Sequence, residues 1–167
     1  MLEKVSGDCL ELMVDIRPGS DKPCGVKVRR SCDGEEETVI SYDHGKKHLR
    51  IDVSKSSLDK GIVYHTFVQN YDGKNNTPKA SENLLVTAQE APFELKAGEP
   101  LRLRIFVDRT ILEVFANDRQ CMTQRIYPAR PDSVGVSLFS RDGKAAFTSV
   151  RAWDMAPIEV QAAAKGK

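Results

Sequence analysis

Cysteine and histidine are the residues of this sequence that most often bind metals or act as nucleophiles, and their spacing favours neither role. The four cysteines, at positions 9, 24, 32 and 121, form no Cys-x-x-Cys pair, and they allow three disulfide pairings among which the sequence does not choose. His44 and His48 are four residues apart, but Asp43-His44-Gly45 is a turn signal, so the two side chains are expected to diverge on a hairpin. We therefore expect buried free thiols, solvated turn histidines and no metal site.

Acidic residues offer no catalytic arrangement of their own. Glu35, Glu36 and Glu37 follow the turn residues Asp33-Gly34, and we expect them to form a solvated acidic turn. No Ser-His-Asp constellation is evident, and the three histidines offer no obvious base for one. The sequence therefore predicts no independent catalytic centre.

Alternation of apolar and polar residues predicts a chain built from short strands. Leu10, Leu12, Val14 and Ile16 alternate with polar residues, and so do Leu101, Leu103, Ile105 and Val107. Turn signals such as Pro18-Gly19 recur about every 8–12 residues, which indicates roughly ten to twelve strands. One apolar and one polar face is typical of antiparallel sheets. We predict an all-β, two-sheet antiparallel β-sandwich of the jelly-roll or concanavalin-like kind. The sequence has no repeat of fixed period, so it does not predict a propeller.

Length and charge limit the organisation and the partners of the chain. Its 167 residues are enough for one domain that folds without a metal or disulfide. We expect a linker remnant at residues 1–6, a sandwich domain at 7–157 and a tail at 158–167. A net charge of +1 favours neither nucleic acid nor an anionic membrane, and no apolar run approaches the ~20 residues of a membrane span.

An ordered series of motifs carries a resemblance to a known family. The strongest is LRLRIFVDRTILEVFAND at residues 101–118, and further stretches lie at 7–16, 49–57, 123–128, 135–139 and 150–155. Together they resemble the C-terminal domain of glycoside hydrolase family 32, which contains invertases, levanases and inulinases. The resemblance covers about residues 7–155, although Val53 stands where the family usually has a basic or amide residue.

The resemblance implies that a catalytic partner domain is missing from this sequence. In the family an N-terminal five-bladed β-propeller holds the active site, with motifs Asn-Asp-Pro, Arg-Asp-Pro and Glu-Cys. This sequence contains no Asp-Pro and no Glu-Cys dipeptide. Asn117-Asp118-Arg119 and Arg130-Pro131-Asp132 have similar composition but lie in a turn and a loop, so we assign them no catalytic role. The chain is expected to be inactive alone and to need no cofactor. An extracellular or periplasmic location is what fructan hydrolysis often implies, although invertase relatives also work inside cells.

Two functions remain open under this resemblance. The first is a structural domain that packs on the propeller and stabilises it, which the apolar residues on both faces around 111–115 favour. The second is a fructan-binding module, because carbohydrate-binding module family 66 resembles the same sandwich.

Binding a fructan would need carboxylates and arginines that converge on hydroxyl groups, because every buried hydroxyl has to be hydrogen-bonded. The candidates are Asp108, Arg109 and Glu113 near one strand pair, with Asp52 and Arg50 joining them across the sheets. The same residues also fit a structural interpretation. Asp108-Arg109-Thr110 is typical of a bulge or tight hairpin, and Glu113 can pair with an arginine on a neighbouring strand. Trp153 lies in the last predicted strand with Phe147 and Arg151 on the same alternate face, and it is expected to pack in a core or interface.

Overall fold

The computed structural model describes residues 1–62 and 87–156, and within these ranges ten strands make up the regular structure. The strands are β1 Cys9–Arg17, β2 Cys24–Arg30, β3 Glu37–Asp43, β4 His48–Lys55, β5 Ala88–Pro92, β6 Leu101–Asp108, β7 Ile111–Ala116, β8 Gln120–Arg125, β9 Gly135–Ser140 and β10 Ala146–Asp154. The all-β prediction is confirmed. His65 and the tail at 158–167 lie outside the described residues.

Two five-stranded antiparallel sheets pack face to face as a β-sandwich. Sheet I has the strand order β10-β1-β6-β7-β8, and sheet II has the order β5-β4-β3-β2-β9. Alternate residues of each strand point inward, so Leu12, Ile105 and Val114 of sheet I meet Ile40 and Ile51 of sheet II in one core in which all five are fully buried. The remaining residues form two outer faces on opposite sides of the molecule, and this separation decides which polar residues can act together.

A β-bulge in β10 separates residues that simple alternation groups together. Ser149 lies opposite Asp15, but Phe147 lies opposite Ile16, so Thr148 is the extra residue. As a result Phe147 packs against the core, whereas Trp153 lies on the outer face of sheet I and is 43% exposed. The interpretation that placed Phe147 and Trp153 on one face is therefore wrong.

The acidic turn before β3 is solvated only at Glu35. Glu36 is fully buried and Glu37 is 7% exposed, so the expectation of a solvated turn is wrong for both. Glu37 accepts hydrogen bonds from Lys27 at 2.8 Å and from Arg30 at 3.0 Å. These contacts place Glu37 in a charge network on sheet II.

The Glu36 carboxylate ties three segments together at one end of the sandwich. It accepts the backbone N–H groups of Leu58, Ala129 and Arg130 at 2.9, 2.8 and 3.1 Å, and the hydroxyl of Ser133. Burial raises the pKa of Glu36, but these four donors more than offset it, so the pKa lies below its usual range. Glu36 is therefore a buried anion that fixes the loop between β8 and β9.

The four cysteines are free thiols with different exposure. Cys24 is buried, as expected, but Cys9 is only partly buried, and Cys32 and Cys121 are exposed. Cys32 and Cys121 contradict the expectation of buried thiols because each lies on a surface turn or an outward strand position. His44 lies in the connection between β3 and β4, and His48 begins β4.

The residues that the structure describes contain no group of three or more His, Cys, Asp or Glu side chains arranged to hold a metal ion. Nor do these residues form any helix with the length and apolar character that crossing a membrane requires.

Candidate functional site

The interruption at residues 108–110 is a tight hairpin between β6 and β7. Asp108 ends β6, Ile111 begins β7, and Arg109 has a left-handed backbone with φ 50°. The backbone N–H of Arg109 donates to the carbonyl oxygen of Asp8 at 2.7 Å, which fastens the turn to the start of β1. The Asp108 side chain is exposed on the outer face of sheet I, where the Cys9 thiol lies 3.6 Å from its Oδ1.

Glu113 lies on the same outer face as Asp108. It is paired with Phe106 across the strands, which makes it a diagonal neighbour of Asp108. Its side chain is partly buried, yet it forms no ion pair with any residue in the described ranges. Asp108 and Glu113 are therefore two carboxylates on one surface, both available to an external donor.

Arg50 and Asp52 lie on the opposite side of the molecule. Both point outward from β4 in sheet II, where Arg50 donates to Asp52 at 3.0 Å and also pairs with Glu90. The structure thus brings Asp108, Arg109 and Glu113 together, but it does not bring Arg50 and Asp52 to them. A role of any of the five in carbohydrate binding stays a prediction.

The charged residue that sequence reasoning missed at this end of the sandwich is Arg29. It lies at a bulge in β2, where the pairing with β9 shifts between Lys27 and Arg30, and its φ is 48°. The guanidinium is turned toward the interior and the side chain is only 10% exposed. The signal was present in the sequence, since Arg29-Arg30 breaks the alternation that Val26 and Val28 begin.

The Arg29 guanidinium is incompletely paired. Its Nε and Nη1 atoms are buried without a hydrogen-bond partner, and the nearest carboxylate oxygen, Oδ2 of Asp8, lies 3.8 Å from Nη1. Burial lowers the pKa of Arg29, and the carboxylates of Asp8 and Glu36 oppose that effect without cancelling it. Such a donor set is unusual, because buried polar groups in folded proteins are generally hydrogen-bonded.

The rest of the outer face of sheet I carries aromatic and arginine side chains. Phe106 and Phe115 meet edge to face at 6.0 Å between ring centroids, and Arg104 lies over Phe106 at 4.9 Å. Arg151 lies 5.7 Å from the centroid of Trp153. We call this surface the aromatic face; its members are Met13, Arg104, Phe106, Phe115, Arg151 and Trp153. Aromatic residues, methionine and arginine are the types enriched at protein interfaces.

Both outer faces carry ion pairs, such as Arg102 with Asp15 on sheet I, and on sheet II the paired charges form most of the polar surface described. Glu37 bridges Lys27 and Arg30, and Arg50 is held between Asp52 and Glu90. Phe139 lies on this face, and the Nζ atom of Lys27 lies over its ring at 5.8 Å from the centroid. The two outer faces thus differ in the amount of aromatic surface rather than in whether their charges are paired.

Comparison with known proteins finds relatives that degrade sugars. The family model "Glycosyl hydrolases family 32 C terminal" matches residues 1–154. The chain is 34% identical over 142 residues to a levanase of Bacillus subtilis (strain 168), covering 83% of this chain and 17% of the levanase. It is 26% identical over 152 residues to a sucrose-6-phosphate hydrolase of Zymomonas mobilis, covering 87% of this chain and 24% of that protein.

Solved structures show the same fold in two settings. The exo-inulinase of Aspergillus awamori superposes with a TM-score of 0.66 at 21% identity, over 89% of this chain and 25% of the inulinase. The carbohydrate-binding module CBM66 from Bacillus subtilis superposes with a TM-score of 0.55 at 11% identity, over 89% of this chain and 77% of that module. The chain spans less than a quarter of the two curated relatives. Because the family model extends over nearly the whole sandwich, the chain belongs to the C-terminal domain family of the family 32 glycosyl hydrolases.

Proposed function

We propose that this chain is the accessory β-sandwich of a fructosyl hydrolase, which packs against an N-terminal five-bladed catalytic β-propeller and stabilises it without catalysing hydrolysis itself. The observation that carries the proposal is the aromatic face. Its Trp153 is 43% exposed, and Ile111 on the same outer face is 37% exposed, although both belong to a sheet whose other side is a complete core. Removing such side chains from water favours association with a partner.

The arginines of the aromatic face suit the same role. Arg104 is held by Glu11 at 2.7 Å while it stacks on Phe106, so its position is fixed before any partner arrives. A pre-positioned arginine loses less conformational freedom on association than a free one. The curated relatives supply the candidate partner, since at least three quarters of each lies outside the matched region.

A chimera tests this function. The chain replaces the matched segment of the Bacillus subtilis levanase, and the half-life of levan hydrolysis at elevated temperature is compared with that of the levanase lacking the segment. We expect the chimera to be longer-lived, and Phe106→Ser and Trp153→Ser to remove the gain. Phe139→Ser on sheet II is the matched control and should retain it. Equal half-lives with and without the chain, or equal effects of all three variants, would refute the proposal, and hydrolysis of sucrose or levan by the purified chain would refute the absence of catalysis.

A second candidate function is fructan binding, supported by the two carboxylates that the structure leaves available. Asp108 and Glu113 lie beside Phe106 on one surface, and acceptors next to an aromatic ring suit a sugar that offers hydroxyl donors and an apolar ring edge. This candidate competes with the first, since both use the outer face of sheet I.

Titration calorimetry with levan, inulin and sucrose tests fructan binding. We expect binding that Glu113→Gln and Asp108→Asn weaken, whereas Glu90→Gln on the other face leaves it unchanged. An absence of heat at millimolar sugar would reject this candidate and leave the accessory role untouched.

A further inference from the structure

We propose that a cleft at one end of the sandwich binds a neutral oligosaccharide through Arg17, Asp21 and Lys96. The proposal rests on the second candidate function, fructan binding, and adds a site that lies outside the predicted set of residues. None of the residues that line the cleft belongs to the aromatic face. A sugar could therefore occupy the cleft while a catalytic domain covers the aromatic face, so binding at this site does not compete with the accessory role.

The cleft lies between chain segments at the end of β1. Its volume is about 620 Å³, and its walls come from the end of β1, the connection between β3 and β4, and residues 94–99. This volume is within the range of about 300–1,000 Å³ that is typical of ligand sites. Cys9 at the other end of β1 pairs with Asp108, so the nine residues of β1 separate the cleft from the β6–β7 hairpin by roughly 26 Å. The cleft is therefore distinct from the surface that carries Asp108 and Glu113.

Buried side chains form the floor of the cleft. Tyr42 and Leu95 line it, and both are buried in the core. The Tyr42 ring meets Phe93 edge to face at 5.9 Å between ring centroids, and its hydroxyl lies 3.5 Å from Nδ1 of His44. The packing of the core thus holds the floor in place before any ligand arrives.

Hydrogen bonds fix the rim of the cleft. The backbone N–H of Phe93 donates to the carbonyl oxygen of Lys47 at 2.7 Å. The Glu99 carboxylate accepts the backbone N–H of Lys96 at 2.8 Å, and the Glu99 N–H donates to the carbonyl oxygen of Lys96 at 2.9 Å. Arg119 pairs with the same carboxylate at 2.8 Å. A rim that is ordered in advance loses little conformational freedom when a ligand binds.

Charged side chains of both signs surround the cleft in equal number. The basic ones are Arg17, Lys47 and Lys96, and the acidic ones are Asp21, Glu94 and Glu99. Lys47 pairs with Glu94 at 2.5 Å. The side chains of Arg17, Asp21 and Lys96 have no ion pair or hydrogen bond with any residue in the ranges 1–62 and 87–156. Two donors and one acceptor at the cleft are therefore available to a ligand.

This mixture of charges favours a neutral polyhydroxylated ligand. An anion would meet three carboxylates at the cleft, and a wholly apolar ligand would take charged groups out of water without replacing their hydrogen bonds. A hydroxyl group both donates and accepts, so adjacent hydroxyls of a sugar can accept from Arg17 or Lys96 and donate to Asp21. We therefore assign these three side chains to sugar recognition.

NMR spectroscopy of the isotope-labelled chain tests whether sugar enters the cleft. Gly45 and Gly98 both line it, so their backbone amide resonances report on its occupancy. Gly34, in the connection between β2 and β3 at the other end of the sandwich, is the internal control. We expect levan or inulin oligosaccharides to shift the resonances of Gly45 and Gly98 in a saturable way and to leave that of Gly34 unchanged.

Substitutions test the three assigned side chains. Arg17→Met, Asp21→Asn and Lys96→Met should each raise the sugar concentration that half-saturates the Gly45 shift about fivefold, as expected for a lost hydrogen bond. All three residues are exposed, so each variant should fold. Lys46→Met is the matched control, because Lys46 is an exposed lysine beside the cleft that does not line it. It should bind sugar like the unmodified chain.

The same titration separates this site from the one at the hairpin. Cleft shifts that persist in Glu113→Gln support the inference. Sugar shifts confined to the strands that carry Asp108 and Glu113 would overturn it while fructan binding stands, and so would cleft shifts that none of the three variants weakens. Shifts of Gly45 and Gly98 with inorganic phosphate but with no sugar would reject the neutral ligand class. An absence of shifts with every sugar would refute both this site and the second candidate function.

Discussion

Glu36 and Arg29 are two buried charged residues at one end of the sandwich, and they differ in how completely they are hydrogen-bonded. Glu36 is fully buried and accepts four hydrogen bonds, three of them from backbone N–H groups. Arg29 is almost as buried but leaves two of its nitrogen atoms unpaired. Because burying an ion is costly unless hydrogen bonds replace its contacts with water, the complete set of bonds to Glu36 stabilises the fold, whereas the burial of Arg29 is only partly compensated.

Replacing Glu36 tests its structural role. Glu36→Gln puts an amide NH2 group against donors, so we expect the free energy of unfolding at pH 7 to fall by about 2 to 3 kcal/mol. The folded-state pKa of Glu36 is depressed, so its stabilisation is present above the unfolded value of about 4.3 and is lost as the pH falls through the folded pKa. Urea unfolding should therefore show a smaller difference in the free energy of unfolding between the unmodified chain and Glu36→Gln at pH 3 than at pH 7. Exposed Glu35→Gln is the control, and a difference that does not narrow at low pH contradicts the assignment.

The burial of Glu36 could not be predicted from the sequence. Its donors come from residues 22 to 97 positions away, and nothing in Glu35-Glu36-Glu37 distinguishes the middle residue. Only the path of the loop between β8 and β9 brings Ala129, Arg130 and Ser133 to it. In contrast, the polar candidates of the β6–β7 hairpin could be predicted to lie together because they are close in sequence.

Thiol reactivity should follow the exposure of the four cysteines. Burial raises the pKa of Cys24 to about 11, and the nearby Asp142 adds to this, so Cys24 is almost entirely protonated at pH 8. We expect Ellman's reagent to modify exposed Cys32 and Cys121 rapidly in the native chain, and Cys24 only in urea. Cys32→Ser and Cys121→Ser should each remove part of the fast phase. Rapid modification of native Cys24 would contradict its burial.

At the level of strands, alternation predicted the elements that have one side in the core. β1, β4 and β6 alternate buried with more exposed residues along nearly their whole length, and the sequence pattern shows it. β5 Ala88–Pro92 was not predicted as a strand. It lies at the edge of its sheet and has no fully buried residue, so its sequence shows no alternation of apolar and polar residues. The bulges of β2 and β10 were also not predicted. A bulge is defined by how a strand pairs with its neighbour, and the residue types of the strand do not reveal that pairing.

Gly25 is a strict requirement of the β2–β3 pair. A Cβ atom at this position would lie 2.0 Å from the carbonyl oxygen of Ile40, which is backbone of the neighbouring strand and cannot swing away. We expect Gly25→Ala to lower the free energy of unfolding by about 3 kcal/mol, the upper range for overpacking. Gly98→Asn is the control, because nothing lies within 4 Å of that position and Asn tolerates its φ of 75°. Equal stabilities of the two variants in urea unfolding would contradict this account.

The two outer faces of the molecule differ mainly in aromatic surface, and the face of sheet I is the one suited to contact with a partner. Sheet I presents Phe106, Phe115 and Trp153, whereas sheet II presents ion pairs such as Lys27 with Glu37. Family 32 membership and the sandwich could both be predicted from the sequence, but the division between the faces could not. It depends on which sheet each strand joins, and the structure places Arg50 and Asp52 on the opposite sheet from Asp108.

The aromatic face should cause the isolated chain to self-associate. We expect sedimentation velocity to show an average mass that increases with protein concentration, because exposed Trp153 and Ile111 lose contact with water on pairing. Trp153→Ser should reduce this association, and Phe139→Ser on sheet II should not. A strictly monomeric chain at all concentrations would count against the aromatic face as a contact surface.

The first and last strands of the sandwich are hydrogen-bonded neighbours. Leu10 of β1 pairs with Asp154 of β10, and the N–H of Met155 donates to the carbonyl oxygen of Cys9 at 3.1 Å. The start of β1 and the end of β10 are therefore adjacent on the surface, although residues 2–7 also hydrogen-bond to the segment at Val134 and Val136. A short peptide joining residue 155 to residue 8 should give a circular permutant that folds when it is opened at the exposed turn of Gly98, so the order in which the strands are synthesised can change while their arrangement is kept.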